Sequence, residues 1–282
     1  MATQSDLITK AAEGALEDIK KYAPEEYKKL EADPAIKDKI LQAAKATAKE
    51  TLMLAEFTGH PHDFAEKVTK HLPEERVKLI QGALNIPTFR MKIIKKDNGR
   101  HWLELTREGQ EFKPTRELAS YSDIDWATIE QYASILIEAV LLVMSAVGIS
   151  VSPSASVIRK TVDETAESIR SSSQLQRALE TFVEAWDAAG NNPTKMATAL
   201  FNLIKDSYSA GILWNIIKSL CSNMAWYDWV ETSAKVSAMI IAALATDGVA
   251  LIAEIALVVF SAVDFARKIA NVVQLQDVKK GL

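Results

Sequence analysis

Cysteine occurs once, at Cys221, so no disulfide can close within the chain and the redox compartment stays open. Glycine and proline are scarce, at ten and eight of 282 residues. That is too few for the many turns of an all-β sandwich or barrel. Neither sign of charge dominates: 33 basic side chains stand against 37 acidic ones, a formal charge of −4. Such a chain offers no counter-charge to a phosphate backbone, which argues against nucleic acid as a partner. Residues Met1 to Asp6 lack a basic stretch leading into an apolar run, so no secretory signal is expected. The expected setting is soluble, either cytoplasmic or secreted without a visible leader. Catalytic signatures are missing too: there is no Gly-rich phosphate loop, Gly-x-Ser-x-Gly elbow or His-Glu-x-x-His. No enzyme and no cofactor are expected. His60 and His62 flank Pro61, and His71 follows nine residues later. This spacing fits no zinc motif, and no metal site is assigned.

What remains is helix-forming and apolar. Hydrophobic residues make up 48% of the chain, enough for one large core or two smaller ones. Residues 1–122 carry 41 charged side chains and residues 123–282 carry 29. We read a charged N-terminal helical region over 1–122 and an apolar helical bundle over 123–282, possible as one continuous domain. Proline and cap formers delimit helices at about 5–22, 24–32, 34–57, 62–71 and 73–84. Ser5 is the expected cap of the first helix and Asp33 of the third. Beyond residue 123 the expected helices are 125–148, 153–171, 174–189, 193–209, 211–222, 226–246 and 248–273.

One β signal interrupts this pattern. A three-residue loop at Asp97-Asn98-Gly99 would pair Ile93 with Leu103 and Met91 with Leu105 on one face, with Lys92 opposite Glu104 on the other. A two-residue loop would set Ile93 against Glu104, so the three-residue loop is preferred. An isolated hairpin is marginal in water, so Phe89, Met91, Ile93, Leu103 and Leu105 are expected to rest on helices. The expected fold is mainly α: a multi-helix bundle around a central apolar helical hairpin, with one β-hairpin near 89–106.

Two stretches exceed what an amphipathic surface helix needs. Tyr132 to Ser152 holds one charge, Glu138, and Val236 to Val263 holds two, Asp247 and Glu254. Helices apolar nearly all round lie at the centre of a bundle or meet lipid. A spanning helix needs about 20 apolar residues, which the first stretch just supplies. Trp226, Tyr227 and Trp229 precede the second, and Trp and Tyr rings suit a lipid interface. They also suit the plugged end of a bundle. Glu138, Asp247 and Glu254 are candidate pH sensors, because a carboxylate in apolar surroundings must surface, pair or take up a proton. The plainer roles are a cap for Asp247 before Gly248, and an outward face or a pair with Lys235 for Glu254. Cys221 is expected to pack as a small hydrophobe.

A soluble helical body around an Ala-rich apolar hairpin resembles the α-helical pore-forming toxins, including the pore-forming domains of colicins. The likeness covers mainly residues 123–282 and lies in organisation. It implies insertion of apolar helices into a lipid membrane, with a homo-oligomer possible there. The residues expected to meet lipid are Trp226, Tyr227, Trp229, Ile240, Ile241, Leu251, Ile252, Val258 and Phe260. The rival expectations are a non-catalytic interaction or scaffold protein and a helical carrier of hydrophobic ligands, the latter marked by a cavity of a few hundred Å³.

Overall fold

The computed structural model describes residues 3–56, 74–75, 78, 89–107, 109–190, 192–248 and 263–282. Three helices open the chain: α1 (Gln4–Tyr22), α2 (Pro24–Ala32) and α3 (Pro34–Glu56). The first is capped by Thr3 and not by Ser5. The Thr3 hydroxyl accepts from the Asp6 amide while the Asp6 carboxylate accepts from the Thr3 amide, a reciprocal box that Ser5, two residues later and already inside the helix, does not make. Pro24 opens α2, and Asp33 receives the Ile36 amide ahead of Pro34, as the cap spacing predicts. The expected helices at 62–71 and 73–84 lie almost wholly outside the described residues, as do His60, His62 and His71.

The hairpin forms in the expected register. Strands β1 (Arg90–Lys95) and β2 (His101–Arg107) pair Met91 with Leu105, Lys92 with Glu104 and Ile93 with Leu103. Gly99 closes the loop at φ +78°, a conformation that an L side chain resists. A third strand, β3 (Gln110–Glu117), adds antiparallel to the free edge of β2 through two register shifts. It is absent from the sequence reading because Pro114, Lys113 and Arg116 mask it, and Pro is tolerated there because β3 is an edge strand. Phe89, Met91, Leu103, Leu105 and Phe112 are buried beneath the sheet, while Ile93 is half-buried.

The rest is helical: α4 (Tyr121–Ala146), α5 (Ala155–Arg170), α6 (Ser173–Ala189), α7 (Pro193–Ser209), α8 (Ile212–Leu220), α9 (Trp226–Leu244) and α10 (Val263–Lys280). The chain is therefore mainly α with a small antiparallel sheet. Helix α4 begins four residues before the expected start, because Ser120 and Asp123 form a second capping box. It is the innermost element, packed by α5, α7, α8 and α10. Helix α9 packs against α1 and α3. Both helices bury small residues, Ala11, Ala12 and Ala15 on α1 and Ala234, Ala238 and Ala242 on α9. A Cβ on Gly14 would come within 2.8 Å of the Ile241 Cδ1 atom, so the absence of a side chain on α1 makes room there for the Ile241 side chain of α9.

Candidate functional site

Helix α4 has 19 buried residues, unbroken from Glu130 to Ala146, and five of them are polar: Glu130, Gln131, Ser134, Glu138 and Ser145. At 100° per residue these five fall within an arc of roughly 100°, so the otherwise apolar helix bears one polar seam. Burying two carboxylates in an apolar body is tolerable only with partners in place. The partners come from elements far away in sequence.

Glu130 is held by β3. Lys113 Nζ lies 2.6 Å from its Oε1 and Arg116 donates to its Oε2 at 2.9 Å, so each carboxylate oxygen has its own cation. The same Lys113 ammonium reaches Asp163 of α5 at 2.6 Å and so ties three elements together. Half-burial opposes the Lys113 charge, but hydrogen bonds to Asp163 and Glu130 outweigh it and raise the ammonium above its ordinary pKa. A raised lysine contributes stability through the acid and neutral range and loses it only as pH climbs through the folded value.

Glu138 is held by α10. Lys268 Nζ donates to Glu138 Oε1 at 2.5 Å and to the Phe89 carbonyl at 3.3 Å, and its side chain is only 6% exposed. One turn along α10, Asn271 Nδ2 bridges the Met91 carbonyl and Gln131 Oε1, each at 3.5 Å. The seam is thus covered by cations and amides from β3 and α10 along most of its length. Of the three candidate pH sensors, Glu138 is the one shown in a buried charged pair. Asp247 is exposed and sits at φ +50°, just past the end of α9, where the Gly248 amide bonds back to the Ala243 carbonyl. Glu254, Leu251, Ile252, Val258 and Phe260 lie outside the described residues, and Lys235 pairs with Glu231 at 3.4 Å.

The aromatic group at the start of α9 is graded in exposure. Trp229 is buried, Trp226 half-buried and Tyr227 41% exposed, with Tyr227 edge-on to Trp226 at 6.1 Å. Ile240 is buried and Ile241 half-buried against α1. Among the described residues no three His, Cys, Asp or Glu side chains converge as a metal site requires. Cys221 is buried, and burial pushes its thiol up to about 12. Beside it a half-open cleft of about 550 Å³ separates α5, α8 and the start of α9.

Sequence reasoning found Glu138 and missed Glu130, Lys113, Arg116 and Lys268. The four-residue spacing of Glu130, Ser134 and Glu138 was the available signal for the seam. Nothing local marks Lys268, which meets Glu138 across 130 residues. No family model, curated protein or solved structure matches the chain. The class that the fold defines is a mainly helical protein with a three-stranded antiparallel sheet and a buried, nearly all-apolar central helix.

Proposed function

We propose that the chain is a membrane-active protein of the pore-forming toxin type, in which α4 leaves the body and enters lipid. The observation that carries this reading is α4 itself. It has 26 residues, about 39 Å at 1.5 Å per residue, which exceeds a hydrocarbon core of roughly 30 Å. From Glu130 to Ala146 every residue of it is buried inside the body. Two charged clamps, Lys268 on Glu138 and the Lys113 and Arg116 pair on Glu130, hold it in the soluble form.

The polar seam makes α4 suited to a pore as well as to a core. In a lipid-embedded oligomer of this chain the seam faces the lumen and the remaining surface faces lipid or neighbouring helices. Glu130 and Glu138 would then ring the lumen with carboxylates, which favours cations. A neutral side chain at these positions costs less to move from water into lipid than a charged one, so release is expected to be easier under acid conditions. Tyr227 and Trp226 supply an interfacial anchor at the start of α9.

A second reading is favoured by the same burial, since a permanent core helix is equally sheathed. In it the protein is a non-catalytic helical scaffold. The test is release of a dye from anionic vesicles by the purified full chain, followed from neutral to acid pH, with reversal potentials measured across a planar bilayer. Release that strengthens as pH falls, with cation-selective conductance, is the expected result. Vesicles that stay sealed at every pH and lipid composition refute the membrane reading and leave the scaffold.

A further inference from the structure

We infer that the cleft between α5, α8 and the start of α9 binds the phosphate headgroup of an amphiphile. The inference rests on the membrane reading only for the source of that ligand, a lipid. The volume of about 550 Å³ falls within the usual range for small-molecule sites and far exceeds one phosphate ion. The charges lining it are two ammoniums, Lys160 and Lys218, and one carboxylate, Glu164, which lies 3.7 Å from Lys160. The cleft is therefore net positive in a chain of charge −4.

Cations also stand over both indoles in the wall. Lys218 Nζ lies 5.4 Å from the Trp229 ring centroid, and Lys29 of α2 lies 5.4 Å from that of Trp226. Positions over the rings that would attract a quaternary ammonium are thus already taken by lysines, which leaves an anion as the favoured guest. The floor is set: Thr161 and Ser219 share a buried hydrogen bond of 2.8 Å across α5 and α8. A phosphate ester held by Lys160 and Lys218 would leave the rest of the volume for an apolar stem along Trp226, Trp229 and Met224. Tyr227, exposed beside Trp226, marks the side from which a bilayer surface would approach.

The experiment is calorimetric titration of the full chain at neutral pH with a short-chain phosphatidic acid below its micelle concentration, and separately with inorganic phosphate. The amphiphile is expected to bind at least tenfold more tightly than inorganic phosphate. The Lys160→Gln/Lys218→Gln double variant should lose tenfold or more in amphiphile affinity with an unchanged melting temperature, because both side chains are exposed. Trp226→Ala should weaken the amphiphile and leave inorganic phosphate unaffected. Equal affinity for both probes, or a double variant that binds the amphiphile as the wild type does, overturns the inference even if vesicles leak. Amphiphile binding that is lost in the double variant while vesicles stay sealed supports the cleft and refutes the membrane reading instead. Flotation with vesicles of phosphatidylcholine, with and without phosphatidic acid, separates a lipid source from a free phosphate ester.

Discussion

Exchanging Lys268 for Met keeps most of the volume of the side chain and removes the ammonium 2.5 Å from Glu138. Both side chains are almost fully buried, at 6% and 1% exposure, so solvent cannot replace the lost cation. Breaking a buried pair from one side typically costs about 3–5 kcal/mol. A second limit comes from the proton: converting an ordinary glutamate to its neutral form at pH 7 costs about 3.7 kcal/mol, at ~1.36 kcal/mol per pH unit above ~4.3. The chain need never lose more than that through the charge, because protonation is the alternative to burying it. The lost hydrogen bond to the Phe89 carbonyl adds about 1 kcal/mol. The expected loss at pH 7 is therefore about 3–5 kcal/mol. Where protonation is the cheaper course, the folded variant binds a proton that the unfolded chain does not. Its deficit then shrinks by ~1.36 kcal/mol for each unit of falling pH, or about 2.7 kcal/mol between pH 7 and pH 5. Urea melts of both proteins at the two pH values measure this directly. Adding Glu138→Gln to Lys268→Met should recover most of the pH 7 loss, since the carboxylate whose pairing with Lys268 was broken is then gone as well. A deficit under about 1 kcal/mol at pH 7, or one that Glu138→Gln does not reduce, refutes the clamp.

Three further outcomes are expected. Gly99→Val should destabilise the fold by about 1–2 kcal/mol because of its φ of +78°. A Cβ there meets no atom within 4 Å, so Gly99→Asn, which tolerates that backbone, should cost clearly less, and equal melting temperatures would exclude this origin. Cys221, buried and with its thiol pushed up to about 12, should react with a thiol reagent only at the rate of unfolding, and labelling as fast as a free thiol would contradict its packing. Burial raises the Asp18 carboxyl pKa, against the lowering by hydrogen bonds from Tyr208 and Ser237 and by the charge of Lys21. A carboxyl raised in the folded state contributes stability at low pH and loses it as pH rises through the folded value. Asp18→Asn should accordingly match or exceed the wild type at pH 7 in a denaturant melt, with the difference closing in acid, and a variant weaker at pH 7 would show that the charge itself is needed.

Asp18 of α1 accepts from Tyr208 of α7, and falling pH strengthens that junction. Acid release of the kind we propose would therefore not begin at that junction, which leaves the ion-paired carboxylates of α4 as its candidates.

The elements that were legible in the sequence are those whose causes lie within a few residues. Asp33 with Pro34, Asn192 with Pro193, and the Asp97-Asn98-Gly99 loop each act over one turn, so the starts of α3 and α7 and the hairpin register followed from local spacing, although sequence reasoning missed the equally local boxes at Thr3 and Ser120. The apolar runs likewise marked α4 and α9 as internal, because a helix without a polar face has no other place in water. Tertiary structure decided the rest. Strand β3 has no apolar alternation and exists because the edge of β2 needs a hydrogen-bonding partner and Glu130 needs cations. Lys268 reads as an ordinary surface lysine until α10 folds onto α4 and places it against Glu138. Hydropathy is a property of single residues and their near neighbours, whereas the neutralisation of a buried charge depends on a partner 130 residues away that no local pattern encodes.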